Sequence, residues 1–172
     1  MLDRDPAKDR SYLRLVACCL WHPGLQCRQD PSDAAQRALA IAVEREAQFR
    51  GSTLAEWRGW LRKILINVLQ QAMRDNRPGV ISIDESSRQF EDALAAEQTS
   101  PSQAAIRHED LQRLADALDG LPEDQRTAVE LKHLHDCSVK FISDYMERSE
   151  RAVEGLLKRG RKRLRELIEG RS

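Results

Sequence analysis

The sequence has no long apolar run. Its best candidate, Leu13–Trp21, is far too short for a bilayer core, which takes about 20 apolar residues. A signal-peptide pattern is missing too, because the first ten residues are nearly all polar. The expected location is therefore cytoplasmic, with no membrane partner. Cysteine is sparse: Cys18, Cys19, Cys27 and Cys137 are expected as reduced thiols. Cys18, Cys19, His22 and Cys27 match no zinc spacing, and His133, His135 and Cys137 fall at a helix end, so neither group makes a credible metal set. No glycine loop can cradle a phosphate, and no nucleophile stands beside a base. These absences argue against an enzyme, a cofactor and a small-molecule substrate. Internal repeats, low-complexity tracts and any added ligand-sensing domain are also lacking.

Net charge is absent as well, since 28 Lys and Arg balance 28 Asp and Glu. The chain as a whole does not announce a polyanionic partner, but the distribution of charge does. Arg148–Ser172 carries nine basic residues against four acids, whereas Asp84–Glu97 carries five acids against one Arg. A basic end beside an acidic middle points to a localised nucleic-acid surface.

Helical patterns fill most of the rest, so the expected class is all-α. Ser11–Trp21 places Leu13, Val16, Ala17 and Leu20 on one face, after a polar Met1–Arg10 expected to fray. His22-Pro23-Gly24 stops that helix. Asp30-Pro31-Ser32-Asp33 is a helix start, with Asp as N-cap and Pro at the first helical position. That helix is expected to reach about Phe49, with Ala35, Leu39, Ala42, Val43 and Ala47 apolar. Thr53 and Glu56 form a capping box that opens a long helix, about Leu54–Arg74. Leu54, Trp57, Leu61, Ile64, Leu65, Val68 and Ala72 make its core stripe. Three such helices can close a small bundle over residues 11–77. Residues 78–101 read as an acidic, Ser-containing tether, with one possible short helix near Arg88–Ala96. Residues 102–170 then hold four helices: about Ser102–Asp119, a stretch from Leu121 to about His135, and two more in Val139–Ile168.

Those last two are the most informative. Ser138 is the expected N-cap of the first, and Glu147-Arg148-Ser149 is the turn between them. In the second, Ala152, Val153, Leu156, Leu157, Leu164 and Leu167 share a face. Arg148, Arg151, Lys158, Arg159, Arg161, Lys162, Arg163 and Arg165 lie opposite. A short helix, a tight turn and a basic second helix make a helix-turn-helix that lays its second helix in the DNA major groove.

Several stretches together resemble a known family. The "LPEDQR" turn (Leu121–Arg126), the apolar helix after it, and "RSERAVEGLLKRGRKRL" (Arg148–Leu164) look like region 4 of bacterial sigma factors of the extracytoplasmic-function type. "DPSDAAQ" (Asp30–Gln36), "FRGST" (Phe49–Thr53) and "WLRKILIN" (Trp60–Asn67) look like region 2 of the same family, in the expected order. The resemblance spans nearly everything from Tyr12 to Ile168. It implies a transcription initiation factor that binds core RNA polymerase and takes it to promoter DNA, and that is commonly held by an anti-sigma factor. It implies duplex reading at the minus-thirty-five element by Arg148, Ser149, Arg151, Glu154, Lys158, Arg159 and Arg161. Arg can bond guanine bidentately and Glu can accept from cytosine. It also implies a minus-ten single-strand surface at Arg50, Ser52, Thr53 and Trp57, where a base could stack. For Trp57 and Trp60, core packing is the competing role. Asp33, Gln36 and Arg37 would meet the polymerase.

The chain departs from the family pattern at several points. Ala34 and Ala35 stand where large aliphatics are usual, Arg37 where an acid is usual, and Gln71 where an Asp is common. Glu147 replaces the usual turn glycine. A left-handed conformation there costs on the order of 1 kcal/mol. These departures keep open two other readings: a DNA-binding regulator without productive polymerase engagement, and a sigma-like protein-binding module.

Overall fold

In a computed structural model of the chain, residues 6–20, 30–76 and 101–170 are described. They form seven α-helices: α1 (Pro6–Leu20), α2 (Pro31–Glu44), α3 (Leu54–Asn76), α4 (Pro101–Asp119), α5 (Glu123–His133), α6 (Val139–Met146) and α7 (Glu150–Glu169), with a 3-10 turn at Glu46–Gln48. Among the described residues there is no strand, so the chain is all-α. Packing separates two compact units, Met1–Gln112 and Arg113–Ser172. The tether expected at residues 78–101, with its short helix, lies almost wholly outside the described residues, as do His22 and Cys27.

In the first unit α1, α2 and α3 pack against one another. Asp30 caps α2, its carboxylate accepting the Ser32 N–H at 2.8 Å. Ala34, Ala35, Ala38 and Ala42 are fully buried, and their small side chains let the neighbouring backbones approach. On the α3 side the stripe is Trp57, Leu61, Ile64, Leu65, Val68, Leu69 and Ala72. Each fully buried Leu or Ile contributes about 1.5–3 kcal/mol of transfer free energy.

Four expectations need correction here. Helix α1 starts at Pro6, inside the stretch expected to fray, because Asp9 is buried and its carboxylate accepts the Trp57 indole N–H at 2.9 Å. Helix α2 stops at Glu44 and the chain turns through Glu46–Gln48, which brings Phe49 back against Trp57 and Trp60. Val43 is 72% exposed, because the α2 face at 34, 38 and 42 leaves position 43 turned to solvent. Leu54 sits in the first turn of α3 and is also exposed.

The first half of α4 belongs with this unit through a buried polar network. Arg58 donates to the His108 carbonyl (3.1 Å) and to Gln112 Oε1 (2.6 Å), and Gln112 Nε2 donates to the Lys8 carbonyl (3.1 Å). Arg58 also lies over the Tyr12 ring, 4.8 Å from its centroid, while Arg62 donates to the Tyr12 hydroxyl. Burial first, then the Arg58 and Arg62 charges, push the His108 imidazole below its ordinary pKa.

In the second unit α7 packs on α5 and α6. Val153, Leu156, Leu157 and Gly160 of α7 are buried, facing a core that includes Ala128, Val129, Leu131 and Ile142. At Gly160 α7 comes close against α5. A Cβ there would stand 2.8 Å from Val129 Cγ2 and 3.3 Å from the Gln125 carbonyl oxygen.

Candidate nucleic-acid interface

The helix-turn-helix is built by caps at both helix starts. Ser138 Oγ accepts the Phe141 N–H at 3.1 Å, and Ser149 Oγ accepts the Ala152 N–H at 3.3 Å. Each satisfies one of the amides left unpaired at a helix start. Between them Glu147 adopts φ 53, ψ 43, the left-handed region. The turn is closed by the Arg148 N–H, which donates to the Ser143 carbonyl at 3.0 Å, and by the Ser143 hydroxyl, which donates to the Arg148 carbonyl. A second left-handed residue, Asp136 (φ 50), sits in the turn from α5 to α6.

On α7 the charged residues face out. Arg151, Glu154, Lys158, Arg159, Arg161, Lys162, Arg163 and Arg165 are all exposed, opposite the buried Val153, Leu156, Leu157 and Gly160. Gly155 leaves room for the Arg159 guanidinium, whose Nη1 would lie 3.2 Å from a Cβ at that position. Lys162 pairs loosely with Glu166, 3.9 Å away one turn on. Ser149 is exposed, but its hydroxyl is engaged as the cap. Arg148 is exposed too, and its guanidinium is paired with Asp124 in the first turn of α5. That pairing was not legible in the sequence: Asp124 read only as part of a helix start, and no periodicity joins it to position 148. Gly160 was likewise missed, since a lone glycine inside a basic helix gives no local signal.

The candidate single-strand surface in the first unit is a loop held from beneath. Phe49, Trp57 and Trp60 cluster with ring centroids 5.1–5.6 Å apart. Gly51 has no room for a side chain, because a Cβ would come within 2.5 Å of Phe49 Cζ. The capping box forms as expected. Glu56 accepts the Ser52 N–H (2.9 Å), the Thr53 N–H (3.0 Å) and the Thr53 hydroxyl (2.9 Å), while Thr53 Oγ1 accepts the Glu56 N–H (3.2 Å). These bonds, led by the Ser52 amide, hold the Glu56 carboxyl below the ordinary carboxylate range. Arg50, Ser52 and Thr53 are exposed. Trp57 requires correction as a stacking surface. It is 5% exposed and its indole N–H is spent on Asp9, so no face is open to a base. On α2, Asp33, Gln36 and Arg37 are neighbours on the solvent side.

Among the described residues no three His, Cys, Asp or Glu side chains converge to hold a metal ion. No described helix is long and apolar enough to cross a membrane.

Residues 111–164, from the middle of α4 into α7, match the family model "Sigma-70, region 4". A solved structure of the sigma factor RpoE in complex with the anti-sigma factor NepR from Bartonella quintana is similar. The identity is 24%, with 93% of this chain and 91% of that chain covered and a TM-score of 0.38. No curated protein sequence matches the chain. Residues 111–164, which make up most of the second unit, are thus similar to sigma-70 region 4.

Proposed function

We propose that the chain is a transcription initiation factor that binds core RNA polymerase and directs it to specific promoters, without catalysis of its own. The observation that carries this is α7. Its inner face is packed onto α5 and α6 through Val153, Leu156, Leu157 and Gly160, while its outer face is predominantly basic. That division suits a helix held rigidly in a major groove. Arg151, Glu154 and Lys158 would face base edges. Arg159 and Arg161 would neutralise phosphates. Arg50, Ser52 and Thr53 would meet the minus-ten strand, and Asp33, Gln36 and Arg37 the polymerase. The similar structure contains a sigma factor with an anti-sigma factor, and a partner of that kind is proposed here.

The test is co-elution of the purified chain with core polymerase, followed by promoter-dependent run-off transcription. Co-elution with transcription supports the proposal. DNA binding without co-elution favours a regulator that does not engage polymerase, a reading motivated by the exposed Arg37. Arg151→Ala and Lys158→Ala should each weaken duplex binding. Where the lost contact is to phosphate, the salt slope should fall by about 0.9. Unchanged affinity in both variants would remove α7 from this role.

A further inference from the structure

Arg148 leads into α7 and is engaged at three points within the second unit. Its N–H donates to the Ser143 carbonyl, its carbonyl accepts the Ser143 hydroxyl, and its guanidinium pairs with Asp124. Asp124 stands in the first turn of α5, where the helix dipole favours a carboxylate. The same end of α5 supports α7 a second time, through Gln125 and Val129 against Gly160. One helix therefore holds α7 both at its entry and at mid-length. The entry needs such support because Glu147 is left-handed without being glycine. An Arg148 that turned to phosphate would have to abandon Asp124 and leave that carboxylate facing a polyanion.

We infer that Asp124 and Arg148 form a brace that sets the tilt of α7 for duplex binding, with Arg148 acting as a positioning residue and not as a DNA contact. The inference rests on the proposed reading of α7 as the duplex reader. It also reassigns the residue that the sequence placed first among the DNA contacts.

The experiment uses the full chain, a duplex selected by the wild type from a random-sequence pool, and a mixed-sequence duplex of equal length. Binding is measured across a salt series for Asp124→Asn, Arg148→Gln, the double variant, and the exchange Asp124→Arg with Arg148→Glu. Each single variant should lose about threefold in affinity for the selected duplex, the scale of one exposed ion pair, with the wild-type salt slope retained. The double variant should lose no more than either single one. The exchange keeps the net charge and should recover most of the loss. Removing an acid ought by charge alone to tighten binding to a polyanion, so a loss in Asp124→Asn is diagnostic. The brace is overturned if Arg148→Gln lowers the salt slope by about 0.9, the value of one phosphate contact, while Asp124→Asn binds as well as or better than wild type. If the wild type binds neither duplex, the reading of α7 falls by itself. Denaturant unfolding then decides the brace without DNA: coupled losses for the pair support it, and additive losses overturn it.

Discussion

In the first unit the helices approach through alanine, and polar groups are buried with their partners: Trp57 on Asp9, Arg58 on His108 and Gln112, Arg62 on Tyr12. In the second unit the core is aliphatic, one glycine allows a close helix approach, and most charges face solvent. The candidate sites differ accordingly. The loop at Phe49–Thr53 is shaped by what lies under it, and its hydrogen-bonding groups are largely spent on its own cap. Helix α7 keeps its shape with a narrow apolar stripe and leaves its chemistry outside. A substitution in the first unit should therefore disturb site and fold together, whereas in the second the two can be separated.

The largest effect should come from Trp57→Ala, which removes a buried ring and the indole N–H that the Asp9 carboxylate accepts. It should cost the first unit about 3–5 kcal/mol, read by denaturant unfolding. Unchanged stability with a loss of promoter opening would restore the stacking role and break the contrast. Next, Gly160→Ala pushes a methyl into Val129 and the Gln125 carbonyl. A loss of about 1–3 kcal/mol confined to the second unit is expected. A transition shared by both units would show that they are not separable.

Acid should weaken the first unit through His108. His108 has its folded pKa depressed below the unfolded value near 6.5. Its contribution is complete above the unfolded value and is lost as the pH falls through the folded one, because the unfolded state binds the proton more readily. Stability followed from pH 8 to 5 should fall in wild type and fall less in His108→Gln. Equal slopes would remove the imidazole from this role. The smallest expected effect is a gain. Glu147→Gly relieves a left-handed residue and should stabilise the second unit by about 0.5–1 kcal/mol, measured as a raised unfolding midpoint. A loss instead would mean that the Glu147 side chain is itself engaged.

Much of this was legible along the chain, and the reason is locality. Caps depend on residues three or four apart, so Asp30, the Thr53–Glu56 box, Ser138 and Ser149 could be read directly. Helical faces depend on a period of 3.6 residues, which placed Leu61, Leu65, Val153 and Leu157 inside. The left-handed Glu147 followed from the turn. The readings that failed depended on distant partners. Polar sequence alone said that Asp9 should fray, and periodicity alone placed Val43 inside and left Trp57 open to either role.

The sequence by itself determined the all-α class and the basic face of α7, because composition, caps and periodicity are local and cumulative. Only the tertiary structure decided which polar groups are spent inside the protein. Asp9 meets Trp57 48 positions away, and Asp124 meets Arg148 24 positions away. Pairs at that range follow from how helices cross, and a crossing is set by the fit of whole surfaces, which no short window of residues contains.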